Sequence, residues 1–113
     1  MKISQHGNTT VFTWELSDPI GFDFRNLVKG YYKNLHQQNI VIDLSLIKSL
    51  KPKHVLEFSE LNSYHKEKFL KSFVIVVGKT FNVEINADIA TAPTLQEAFD
   101  IVEIEEIERD LGY

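Results

Sequence analysis

Ile40-Val41-Ile42-Asp43-Leu44 is a short, β-branched run bounded by Asn39 and Ser45, the pattern of a strand buried on both faces. Phe73-Val74-Ile75-Val76-Val77, ended by Gly78, repeats it as a second fully buried strand, and a helical stretch parts the two. That stretch begins at Pro52, which sits in a first helical turn where its missing N–H costs nothing. Val55, Leu56, Phe58, Leu61 and Phe69 supply its apolar face. Upstream, Phe24, Leu27, Val28, Tyr31, Tyr32 and Leu35 recur at helical spacing and predict an amphipathic helix over 23–37. The Ser17-Asp18-Pro19-Ile20-Gly21 break precedes it.

Further upstream, Lys2–His6 and Thr9–Leu16 flank Gly7-Asn8, a pair that closes tight hairpins. With His6 opposite Thr9, Ile3 meets Phe12 and Met1 meets Trp14, which puts Met1, Ile3, Phe12, Trp14 and Leu16 on one side of the pleat. Downstream, a weaker strand is expected near Asp88–Ala92. Thr94-Leu95-Gln96-Glu97 after Pro93 is a capping box, opening a helix that runs to about Leu111 with Gly112 as its stop. The order β-β-α-β-α-β-(β)-α predicts an α/β chain. Its expected form is a mixed sheet of four to five strands, with an N-terminal hairpin and three helices, joined by right-handed crossovers.

The 113 residues and 13.1 kDa fit one domain, 1–113. No apolar run approaches the roughly 20 residues of a membrane span, and Met1–His6 lacks a signal pattern; a soluble, cytoplasmic protein without membrane attachment is expected. The absence of cysteine excludes disulfides, thiolate metal sites and a cysteine nucleophile. The net charge of −4 is unevenly spread, since Thr94–Tyr113 carries seven acids against Arg109 alone. An acidic end on a mildly basic body argues against broad nucleic-acid binding, which needs a coherent basic face.

Catalytic and metal signatures are wanting. His6, His36, His54 and His65 form no His-x-x-x-His or His-x-His-x-Asp-His pair, and His54 and His65, eleven positions apart, lie about 16 Å apart along one helix axis. All four are expected at the surface, with no metal and no cofactor. There is no Gly-x-Ser-x-Gly elbow and no phosphate-cradling glycine loop; Gly78-Lys79-Thr80 follows a strand without the earlier glycine a P-loop needs. Asp43, at a strand end, suits either an acid–base role or a structural hydrogen bond, and the latter is expected because it has no partner in its motif. Trp14, Tyr31 and Tyr32 are expected in the core.

Several of these segments, in order and spacing, resemble the STAS family, the sulphate transporter and anti-sigma factor antagonist domain. Ile40-Val41-Ile42-Asp43-Leu44-Ser45 is similar to its strand ending in Asp-Leu-Ser, Phe73–Val77 to its next strand, and Pro93-Thr94-Leu95-Gln96-Glu97-Ala98 to the opening of its last helix. Gly21-Phe22-Asp23 is a looser match to the Gly-x-x-Asp stretch before its first helix, which brings Asp23 among the candidate residues. The resemblance implies a protein-docking surface in bacterial regulation. It also implies a departure: where the antagonists carry Asp-Ser-Ser-Gly, with the second serine phosphorylated, this chain has Lys51-Pro52-Lys53-His54. Phosphorylation would add about −1.5 to −2 charge there, whereas Lys53 fixes a positive one. The serine switch is therefore expected to be absent.

Independently of that resemblance, Lys48, Lys51, Lys53 and His54 gather four potential cations within seven residues, beside Pro52 at a predicted helix start. The helix dipole disfavours cations at that end by about 0.3–1 kcal/mol each. The pattern suits a solvated basic loop, or a site where an anion, a nucleotide or a partner's acidic patch is bound. On the last helix, Leu95, Ala98, Phe99 and Val102 form one stripe and Ile101, Ile104, Ile107 and Leu111 a second, rimmed by acids. One stripe should face the sheet. The other meets either the rest of the domain or an interface, for which Ile104, Ile107 and Leu111 are the candidates.

Three function classes follow. The first is a non-catalytic interaction module docking through Lys48, Lys51, Pro52, Lys53 and His54, with Asp23 and Asp43 nearby. The second is an accessory subunit of an RNA-processing enzyme, since short chains similar to this one are grouped with ribonuclease Z although the zinc motif is missing here. The third is a binder of a small anion or nucleotide. Activity as an enzyme by itself is not expected.

Overall fold

The hairpin forms in the expected register. In the computed structural model, which describes residues 1–16, 30–32, 34–81, 84–85 and 88–112, strand β1 (Lys2–His6) pairs antiparallel with β2 (Thr9–Thr13), with Ile3 opposite Phe12 and His6 opposite Thr9. Gly7 alone of the turn pair has positive φ, +62°, the pattern of a type II′ turn led by glycine. The expected apolar side is only half realised: Phe12 and Trp14 are wholly buried, but Ile3 is well exposed and Leu16 is 72% exposed. β1 is the outermost strand, and β2 ends at Thr13, so the alternation no longer points Leu16 inward.

Strands β3 (Asn39–Asp43), β4 (Phe73–Val76) and β5 (Ala90–Ala92) complete a five-stranded mixed sheet in the order β1-β2-β3-β4-β5, parallel from β2 onward. The ladder continues past the strands, with Trp14 N–H bonded to Asp43 O, Leu44 N–H to Val76 O and Val77 N–H to Ala92 O, each at 2.9 Å. Strand alternation sorts the core into two layers. Phe12, Trp14, Ile40, Ile42, Leu44, Phe73, Ile75 and Val77 face one side, where Tyr32, Val55, Phe58, Leu61 and Ile89 cover them. Val11, Val41, Val74, Val76 and Ala92 face the other, under Ala98 and Val102 of the last helix.

The single helix expected from Pro52 to Phe69 is instead two, α1 (Pro52–Leu56) and α2 (Ser59–Phe69). At Phe58 the winding tightens, its N–H bonding to Val55 O three residues back at 3.1 Å, and the ring is wholly buried. Periodicity cannot separate two tandem helices from one when both bury the same face. Leu56, expected on that face, is well exposed. α2 ends at Leu70 with φ +56°.

The helix expected over 23–37 lies for the most part outside the described residues, as do Asp23, Phe24, Leu27 and Val28. Gly30–Tyr32 are helical, and three-residue turns follow, with Leu35 N–H on Tyr32 O at 2.8 Å and Gln38 N–H on Leu35 O at 3.0 Å. The helix therefore ends before residue 37. Tyr32 joins the core, whereas Tyr31, expected with it, is half exposed.

Helix α3 (Leu95–Asp110) starts as its capping residues require, Thr94 Oγ1 accepting the Glu97 N–H at 3.2 Å. Gly112, with φ +82°, terminates it by bonding its N–H to Arg109 O. Arg109 ties this end to the sheet, donating to Ser72 Oγ at 3.1 Å and to Asn39 Oδ1 at 3.4 Å.

Candidate functional site at the carboxyl edge of the sheet

Because β3 and β4 are parallel and in register, Asp43 opposite Val76, the segments that follow them leave the sheet at one edge. Asp43 turns the first of these: its Oδ1 accepts the Ser45 N–H at 3.0 Å and the Ser45 hydroxyl at 2.6 Å, an Asx turn. The carboxylate is buried and engaged in its own loop, the structural role expected of it. The second segment approaches closely at Gly78, where φ is +90° and an added Cβ would lie 3.6 Å from Ser45 O. Glycine is required there by the dihedral rather than by crowding. Between the segments lies a shallow recess of about 210 Å³ lined by Ser45, Ile47, Lys48, Leu50, Val77, Thr80 and Phe81.

Lys48 lines this recess, and Lys51 and Lys53, farther along the same segment, are exposed with it. His54 departs from expectation, because its ring is buried rather than at the surface. The ring Nδ1 accepts the Lys51 backbone N–H at 3.1 Å, while the His54 backbone N–H bonds to Lys51 O at 2.9 Å. A lysine side chain has no acceptor to offer the first turn, and the histidine ring at the third helical position supplies the other half of a capping box by taking the N–H of Lys51. Burial holds the His54 pKa below its ordinary value, and the Lys53 charge lowers it further. The ring is therefore a neutral cap, and the cationic character of this stretch rests on lysines.

Lys79 replaces it as the fourth cation. It is exposed on the β4 segment, and 44–53 with 77–81 together hold four lysines and no acid. In sequence Lys79 is remote from Lys48; the parallel pairing of β3 and β4 brings the segments that carry them to the same edge. Leu46, half exposed, adds an apolar contact on the first segment.

His65, also expected at the surface, is wholly buried between Tyr32 and the Gln38 carbonyl. Among the described residues no group of three or more histidines, aspartates and glutamates is placed to hold a metal ion, and no helix is long and apolar enough to cross a membrane. On α3, Ile101 packs toward the sheet layer, while Ile104, Ile107 and Leu111 point outward at 56%, 52% and 66% exposure. The second stripe is thus divided, and its outer part has no cover from the described residues.

Compared with known proteins, the sequence matches no family model and no curated protein.

Proposed function

We propose that the chain is a non-catalytic regulatory module, STAS-like in architecture, that docks an acidic surface of a partner protein in the bacterial cytoplasm through the carboxyl-edge segments. The observation that carries this reading is the set of four exposed lysines, Lys48, Lys51, Lys53 and Lys79, with no acid on the two segments that leave the carboxyl edge; Lys48 lines the shallow recess between them, and Leu46 is exposed on the same segment. Clustered charge of one sign steers and orients an oppositely charged partner, and an apolar contact within it adds area removed from water. Strand order favours a docking surface over a nucleotide crevice. The path β2-β3-β4-β5 steps in one direction, so these strands contain no reversal of the kind at which open α/β sheets hold nucleotides.

The module works without a serine switch. Lys53 stands where the resembled antagonists carry their phosphorylated serine, and the hydroxyl of Ser45 is already donated to Asp43. Binding is governed by constant charge instead, and weakens as salt screens it.

Parallel pull-downs from the source cell test this reading, using wild-type bait and a Lys51→Glu/Lys53→Glu bait. A partner held by the wild type and lost on charge reversal supports it, and the partner's identity separates a regulator from an RNA-processing enzyme. Equal recovery of the same partner by both baits overturns the assignment of the surface.

A further inference from the structure

The outward face of α3 has a spacing and a charge frame that together define a partner. Ile104, Ile107 and Leu111 follow one another at intervals of three and four, which are the a, d and a positions of a heptad seam. In that frame Glu103 and Asp110 fall at g and Glu108 at e, and all three are exposed. Positions b, c and f fall on Glu105, Glu106 and Arg109, and the last two are used by the fold: Glu106 accepts a hydrogen bond from Asn8, and Arg109 reaches Ser72 and Asn39. The a/d seam is thus turned away from the sheet by contacts on the opposite side of the same turns.

We propose that this face is the acidic half of a heterotypic helix–helix contact, and that its occupant is a partner helix with aliphatic a/d positions and Lys or Arg at e and g. The charge frame selects against a second copy. Pairing two α3 helices along this seam would bring Glu103, Glu108 and Asp110 of one chain against the same acids of the other, and like charges at facing e and g positions reject homotypic pairing. A basic helix converts the same positions into attractions. The seam spans little more than one heptad, too short for two free helices to pair. α3, however, is already folded on the sheet, so only the incoming helix is ordered on binding.

The probes are three synthetic labelled peptides of equal length: a three-heptad helix with Leu at a/d and Lys at e/g, the same helix with Glu at e/g, and a scramble of the Lys peptide that destroys the heptad. Fluorescence anisotropy against the full chain should show the Lys heptad binding at least 10-fold more tightly than either control, with the affinity falling in 0.5 M salt. Glu103→Lys/Glu108→Lys leaves the aliphatic seam in place and should reverse the preference toward the Glu peptide. Ile104→Ser/Ile107→Ser should weaken the Lys heptad at least 10-fold with an unchanged far-UV spectrum. Equal binding of the heptad and scrambled Lys peptides, no binding at millimolar peptide, or a neutral-pH dimer that dissociates on Ile104→Ser/Ile107→Ser would each overturn the proposal.

Discussion

Tyr32 Oη lies 2.8 Å from Nδ1 of His65, a ring held in the core by a second bond of 2.7 Å from its Nε2 to the Gln38 carbonyl. A carbonyl only accepts, so Nε2 carries the proton and Nδ1 takes the tyrosine O–H. The pair is neutral at pH 7. Burial lowers the His65 pKa, opposed by the Gln38 carbonyl and assisted by the charges of His36 and Lys71. Burial, with a contribution from Tyr64, pushes Tyr32 up to about 12.

Acid should therefore destabilise the fold through His65. Its folded pKa lies below the ordinary value of about 6.5, so below that pH the unfolded chain takes a proton that the folded chain refuses. Its contribution is intact above about pH 6.5 and is lost as pH falls toward the folded pKa, with a limiting slope of about 1.4 kcal/mol per pH unit for one proton. Urea midpoints at pH 7.5, 6.0 and 5.0 check this. His54, also lowered, acts in the same direction, so the comparison is wild type against His65→Gln, whose curve should be the flatter.

Alkali should act through the other partner. With Tyr32 raised to about 12 against about 10 in the unfolded chain, stability is intact below about pH 10 and falls between the two values as the unfolded tyrosine ionises. Tyr32→Phe removes that loss, and at pH 7 it leaves His65 Nδ1 buried without its donor, costing about 1–3 kcal/mol. An unfolding midpoint at pH 7 equal to that of the wild type would contradict the hydrogen bond.

The His65 network shows where sequence reading stops. The hairpin register, the two hydrophobic strands and the α3 cap rest on local rules, since a two-residue turn, a β-branched run and a Thr-x-x-Glu box each determine their own geometry. The placing of His65 does not. Its burial depends on a turn at Gln38, 27 residues upstream, and nothing in the neighbourhood of His65 announces it. Similarly, Lys48 and Lys51 were legible as a cluster, while Lys79 joins them only once β3 and β4 are paired. His54 counts as a cation by residue type alone, which does not show the hydrogen bond that occupies its ring.

Asn39 and Arg109 should differ in cost although they share a bond. Asn39 is wholly buried, and its Oδ1 accepts the Ser72 N–H at 2.8 Å as well as Arg109 Nη2. Asn39→Ala removes the side-chain acceptor for a buried N–H at the start of β4, a loss of about 2–3 kcal/mol. Arg109→Ala removes a half-buried donor whose partner Asn39 retains Ser72, a loss of about 1 kcal/mol. Equal destabilisation in chemical unfolding would show that Arg109, rather than the Asn39–Ser72 bond, holds this edge.

Leu70 should be improvable. It closes α2 at φ +56° with its side chain 66% exposed, so a branched residue occupies a left-handed conformation that disfavours a Cβ by roughly 1–2 kcal/mol. Leu70→Gly relieves that conformation and forfeits little burial. Part of the gain is offset because glycine also loosens the unfolded chain. A net stabilisation of about 0.5–1 kcal/mol is expected, read as a higher urea midpoint at unchanged slope. Leu70→Ala keeps the Cβ and discards the same side chain, and should not stabilise. If Ala and Gly behave alike, the side chain rather than the dihedral sets the energy at this position.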